Sequence, residues 1–176
     1  MSAALITGGA QRLGAEMARF LGARGLDIAV HYNSSSQEAD ALVAELREQG
    51  VQAVALGADL LDEDATQALV ARAVAALGKP LTCLINNASI FEYDTLQTAT
   101  LESWNRHIGS NLRAPYVLTQ AFAAQALEAG VDEIGEPVAN GELVEAPPEE
   151  TLAVEEVRPA QSYGWTAVRP SETRIE

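Results

Sequence analysis

Gly8, Gly9, Arg12 and Gly14 fall close together in residues 3–14, AALITGGAQRLG, where a short apolar run enters a glycine-broken turn and leaves as an amphipathic helix. Gly8 and Gly9 allow φ > 0, and without a Cβ they let a backbone come close to a pyrophosphate. The helix that follows would aim its unpaired N–H groups and positive dipole end at the anion. An ordinary strand-to-helix turn also uses glycines, so this segment alone leaves both readings open.

The elements needed to hold such a turn recur along the chain. Residues 27–32 (DIAVHY) read as a second strand, followed by Asn33-Ser34-Ser35-Ser36 and a helix to Gln49. Residues 51–56 (VQAVAL) read as a third, followed by Asp59 and a helical period over residues 62–77. Residues 81–85 (LTCLI) read as a fourth and run into Asn86-Asn87-Ala88-Ser89. Strands alternating with helices imply right-handed crossovers and a parallel sheet. Such sheets bind ligands outside the carboxyl ends of their strands, where the polar residues fall each time. Ser35 with Glu38 forms an expected capping box, and Asp62, Glu63 and Asp64 load a first turn with negative charge. The expected fold is α/β: a Rossmann-like, doubly wound parallel sheet that stops at strands one to four with their helices.

Residues 7–14 (TGGAQRLG) resemble the cofactor turn of the short-chain dehydrogenase/reductase family, in the variant where Arg12 replaces the second glycine. The flanking residues and His31-Tyr32-Asn33-Ser34-Ser35 resemble its pteridine reductase-like branch. Asn86-Asn87-Ala88-Ser89 is similar to the family's Asn-Asn-Ala-Gly motif, with serine last as in that branch. Residues 104–123 (WNRHIGSNLRAPYVLTQAFA) are similar to its next helix and place Asn111 where the family keeps a catalytic asparagine. The resemblance runs from Ser2 to about residue 141. It implies a cofactor site of Thr7, Gly8, Gly9, Arg12, Leu13 and Gly14, with His31, Tyr32, Asn33, Ser34 and Ser35 after the second strand. Asp59 and Leu60 after the third strand, and Asn86, Asn87, Ala88 and Ser89 after the fourth, complete it. By family the chain would be a homo-oligomeric oxidoreductase delivering hydride to the C=N or C=O bond of a pterin-like or carbonyl small molecule.

Charge favours NADP(H). NAD-specific layouts carry an acid at the end of strand two to hold the ribose 2′-OH, whereas Tyr32-Asn33-Ser34 stand there. Arg12 could pair with a 2′-phosphate and Ser34 or Ser35 could donate to it. The pteridine reductase-like branch usually has arginine where Ser34 stands, which would weaken that grip. The alternative is a solvated Arg12 beside serines that only cap a helix. Asp59 either contacts the adenine ring or caps a helix, and Asn86 and Ala88 would line the adenine-ribose side. Pro115 has no N–H, so the Asn111 carbonyl loses its i+4 partner. Either that leaves an acceptor for a water of the family's proton relay, or Pro115 merely kinks the helix. Cys83 reads as a small core residue, and the lone cysteine excludes an internal disulfide. Trp104 reads as packing rather than substrate stacking, and His31 and His107 do not suggest a metal site.

Across 176 residues the net charge is −14, which argues against nucleic acid because phosphate neutralisation needs a basic face. No apolar run is long enough to span a membrane. A strand starting at residue 3 leaves no room for a targeting segment, so a cytoplasmic location is expected. The pattern then breaks. Residues 128–176 hold twelve acids against three arginines, and an irregular acidic tail is expected over 142–176 after a cofactor domain over 1–141. The family would supply a fifth strand and a Tyr-x-x-x-Lys helix there. Tyr163 is a weak candidate because Ala167 stands four residues on, and Lys79 is the chain's only lysine. Either a frame slip or truncation near residue 141, or a genuine replacement that makes a cofactor- or partner-binding module, would produce this ending. Self-association is expected if the fourth strand's edge stays unpaired.

Overall fold

The computed structural model describes residues 2–128; the acidic tail and Tyr163 lie outside them. The chain runs β1 (Ala3–Ile6), α1 (Arg12–Gly22), β2 (Asp27–Tyr32), α2 (Ser36–Glu48), β3 (Ala53–Gly57), α3 (Glu63–Leu77), β4 (Cys83–Ile85), α4 (Leu101–Ile108) and α5 (Ala114–Glu128). The four strands form one parallel sheet in the order β3-β2-β1-β4. From β1 the chain steps outward to β2 and β3, then returns to β4 on the other side of β1. That reversal at β1 and β4 is where doubly wound sheets open a crevice.

Side-chain alternation splits the strands between two cores. Ala4, Ile6, Ile28 and Val30 meet Ala15 and Ala18 of α1 and Ala39, Leu42, Val43 and Leu46 of α2. Ala3, Leu5 and Ala29 meet Leu69, Val70, Ala73 and Leu77 of α3 and Leu118 of α5. Burial on both faces is why β1 and the middle of β2, residues 28–30, read as continuous apolar runs. Gln125 of α5 ties onto β4's approach, its amide accepting from the Leu81 N–H (3.0 Å) and donating to the Leu81 carbonyl (2.9 Å).

Several expected boundaries shift. β3 starts at Ala53 rather than residue 51, and β4 at Cys83 rather than residue 81, where Gln125 serves the Leu81 backbone in place of a neighbouring strand. The Ser35–Glu38 capping box is absent: Ser35 makes no side-chain cap, and Glu38 accepts from Gln11 Nε2 at 2.7 Å. Asp62 does cap α3, accepting from the Ala65 N–H (3.0 Å). The expected single helix over 104–123 is two, joined by a π-helical turn at Gly109–Arg113. There the Ala114 N–H reaches the Gly109 carbonyl five residues back, next to Pro115, which has no N–H to continue an α ladder.

Candidate functional site

The glycine turn is locked from behind. Buried Thr7 uses its hydroxyl oxygen to accept the N–H groups of Asn87 and Ala88, both at 3.0 Å, and donates to the Ile85 carbonyl at 3.3 Å. The Asn87 amide donates to the carbonyls of Thr7 (2.9 Å) and Gly8 (3.1 Å). Two carbonyls at the end of β1 are thereby held away from the ligand side. Each glycine answers a different need. Gly8 alone of the pair uses a positive φ, +59°. Gly9 supplies space instead, since a Cβ there would come within 2.9 Å of the Ile6 carbonyl oxygen. A Cβ on Gly14 would come within 2.2 Å of the Gly8 carbonyl oxygen, so helix α1 can approach the turn only with glycine there.

Arg12 departs from what its residue type prefers. It has φ +51°, a left-handed conformation that costs a non-glycine residue roughly 1–2 kcal/mol. Strain of this kind tends to persist at functional sites. Among the described residues Arg12 is also the one cation with neither an ion pair nor a hydrogen bond from its side chain. Gln11, the N-cap of α1, makes no side-chain cap, leaving the first N–H groups of that helix open.

His31 occupies the floor of the turn and is 1% exposed. Nδ1 accepts from the Gly8 N–H at 3.1 Å, so the ring proton is on Nε2, which donates to the Ala58 carbonyl at 3.0 Å. The His31 carbonyl accepts from the Gly9 N–H at 2.8 Å. Burial holds the imidazole below the usual histidine range; the Ala58 contact works against this and the Arg72 charge adds to it. Because His31 takes the Gly8 N–H and its carbonyl takes that of Gly9, the donors left for an anion are those at the start of α1.

A cleft of about 530 Å³ opens above these elements at the carboxyl ends of β1 and β2. Its walls include Gly8, Arg12, Leu13, Gly14, His31, Tyr32, Asn33, Ser34, Ser35, Asp59, Leu60, Asn87, Ala88 and Ser89. Thr7 and Gly9 stand behind the wall. Asn86 is turned away, its amide 3.4 Å from the Thr119 hydroxyl of α5. The Asn86 side chain, expected on the adenine-ribose side, thus meets α5, and Asn86 is not among the residues lining the cleft. Asp59 accepts from the Leu61 N–H (2.9 Å) within its own loop, and the helix-capping role passes to Asp62.

Asn111 also lies outside the wall. Its side chain grips the backbone of Ile90 in both directions, accepting from the N–H and donating to the carbonyl, each at 2.9 Å. It therefore anchors the segment after β4 to the π-helical turn. Sequence reasoning missed Ala10, Gln11, Leu61, Ile90, Arg106 and Ser110 as wall residues. Ala10 and Gln11 lay inside the quoted glycine motif, and Arg106 and Ser110 inside the helix similar to the family's, so the motifs themselves were the signal. Cys83 is half-buried, with burial pushing its thiol up. Trp104, expected to pack, is 62% exposed on a helix with no buried residue.

A strand-to-helix turn shaped by glycine, an uncapped helix start, an unpartnered guanidinium and two serines define a dinucleotide-type crevice. The chain belongs to the short-chain dehydrogenase family, whose model matches residues 2–134. It is 32% identical over 124 residues to the 3-oxoacyl-(acyl-carrier-protein) reductase FabG of Staphylococcus aureus, covering 70% of this chain and 50% of that protein. It is 34% identical over 119 residues to the short-chain dehydrogenase/reductase FrzI of a Cladobotryum species, covering 68% and 46%. Among solved structures, FolM alternative dihydrofolate reductase 1 from Brucella suis, in complex with NADP, superposes with a TM-score of 0.70 at 29% identity. That match covers 74% of this chain and 54% of the Brucella chain. A blue fluorescent protein from a metagenomic library, in complex with NADPH, gives 0.67 at 41% identity over 70% and 50%. The chain spans about half the length of the curated relatives it matches. No described helix is long and apolar enough to cross a membrane.

Proposed function

We propose that the chain is the cofactor-binding half of an NADP(H)-dependent short-chain oxidoreductase of the pteridine reductase-like branch. Its site residues are those named from the sequence, with Thr7, Gly9 and Asn87 building the turn and Arg12, Ser34 and Ser35 facing a 2′-phosphate. The single observation that carries this is Arg12, strained and without a side-chain partner among the described residues, over a cleft whose strand-two end offers Tyr32-Asn33-Ser34 and no acid. The group fits: the Gly8 and Gly14 cradle has no room for side chains of its own, and the open N–H groups of α1 suit a diphosphate. NADP(H), when bound, would supply the hydride for a C=N or C=O bond of a pterin-like or carbonyl substrate. The resemblance to FolM supports the pterin-like class.

This chain's own residues would bind and orient the cofactor without a general acid, since Tyr163 lacks a lysine four residues on. A non-enzymatic NADP(H)-binding or oligomer-interaction protein is the second reading, favoured by the apolar side chains that α4 leaves exposed. Calorimetric titration with NADP⁺ and NAD⁺, of the wild type and Arg12→Ala, tests the cofactor reading. A charge-assisted contact contributes about 1.5–3 kcal/mol, so wild type should prefer NADP⁺ and the variant should lose that preference. Equal wild-type affinities for the two cofactors would overturn it.

A further inference from the structure

We propose that His31 is a positioning residue: while its ring is uncharged it holds the glycine turn in the shape that receives the cofactor, and protonation releases that hold. The inference rests on the NADP(H) reading of the cleft. Its geometry does not. The ring lies between two loops at the carboxyl end of the sheet, accepting from the Gly8 N–H at 3.1 Å and donating to the Ala58 carbonyl at 3.0 Å. Gly8 is the residue whose left-handed φ sets the turn, and it has no other backbone acceptor among the described residues. A second ring proton must sit on Nδ1, where it would point at the Gly8 N–H. An acceptor then becomes a donor facing a donor, on a ring that is 1% exposed.

The surroundings offer an imidazolium no compensation. Arg72 of α3 acts against a second positive charge, and Arg12 at the start of α1 adds another cation to the same cleft. Asp59, in the loop after β3, shares the cleft wall but accepts from the Leu61 N–H, and Tyr32 follows on β2. Among the described residues no carboxylate touches either ring nitrogen. Acid should therefore loosen the turn before it unfolds the sheet.

The full chain is titrated with NADP⁺ from about pH 7.5 to about pH 4.5, reaching below the ordinary histidine range because burial holds the ring lower, as wild type and as His31→Asn. Asparagine offers an acceptor near the place of Nδ1 and has no proton to gain. The 2′-phosphate itself takes a proton near pH 6, so the difference between the two proteins' pH slopes is the readout. Wild type should lose about tenfold more affinity than the variant over that span, as loss of one buried hydrogen bond implies. Parallel slopes overturn the proposal. Amide proton–nitrogen spectra of the ligand-free wild type supply the second arm, which also decides the matter if His31→Asn does not fold. The Gly8 amide should shift with the same midpoint as the His31 ring. A Gly8 amide unmoved through that titration overturns the proposal, whereas the expected shift without NADP⁺ binding at any pH sinks the cofactor reading alone.

Discussion

The β1–β2 side of the molecule and the α4 side obey opposite rules. Around β1 and β2 the strand residues are buried on both faces, and the polar groups of the turn are paired through Thr7, His31 and Asn87. Across the sheet, β4 is a three-residue edge strand, and α4 carries no buried residue at all. Leu101, Trp104, Leu112 and Tyr116 are each more than 60% exposed. A buried polar network must be completely paired because each orphan costs about 1–3 kcal/mol, whereas an apolar stripe left in water signals a surface that expects a partner. The first region is thus finished within the described chain, and the second is built to be covered.

If that contrast is right, the cofactor side should tolerate almost nothing. Gly14→Ala is the most severe case, because its Cβ would press within 2.2 Å of a backbone oxygen that has little freedom to yield. Overpacking of this kind costs about 1–3 kcal/mol, and the upper end is expected here along with loss of NADP⁺ binding. Urea denaturation of the variant checks it; a loss under about 0.5 kcal/mol, the range of ordinary surface changes, would break the claim of a rigid turn.

Acid should reach the same region next. His31 has its folded pKa lowered by burial, so between that value and its unfolded value the unfolded chain binds more protons. Stability from the neutral ring is complete above about pH 6.5 and is lost as pH falls below it. Denaturation midpoints for wild type should therefore drop between about pH 7.5 and about pH 5.5 by more than those of His31→Asn. A wild-type midpoint that holds steady, or rises, would mean that His31 titrates in the folded state as it does in the unfolded one.

The same contrast explains what could be read from residues alone. Buried parallel strands announce themselves by apolar residues for both faces, as Ile28, Ala29 and Val30 do at the centre of Asp27–Tyr32. The glycine, serine and asparagine motifs located the cleft because they fall at strand ends, where topology must bring them together. What was not legible depends on a third element. That Glu38 turns to Gln11 instead of back to Ser35 requires α1 and α2 to be side by side. Asn86 follows α5, and His31 faces inward to a backbone N–H, for reasons that only the assembled sheet supplies. The positive φ of Arg12 hid behind a residue type that rarely adopts one. Trp104 reads as packing, but its own helix does not say whether this chain or another covers it.

The smallest effect on stability should come from that last residue, and it sharpens the comparison most. Trp104→Ser removes a large side chain that is 62% exposed, so unfolding free energy should change by no more than about 0.5 kcal/mol. Association is another matter. Leu101, Trp104, Ile108, Leu112 and Tyr116 recur every three or four residues across α4, the π-helical turn and the start of α5, a spacing that gathers them on one stripe. Sedimentation equilibrium of wild type should show concentration-dependent self-association that weakens in Trp104→Ser. Undiminished association in the variant would move the contact to the edge of β4, unpaired among the described residues, where backbone groups rather than indole would join the copies. A wild type that stays monomeric at every concentration would remove self-association altogether and leave the exposed stripe without a second copy to cover it.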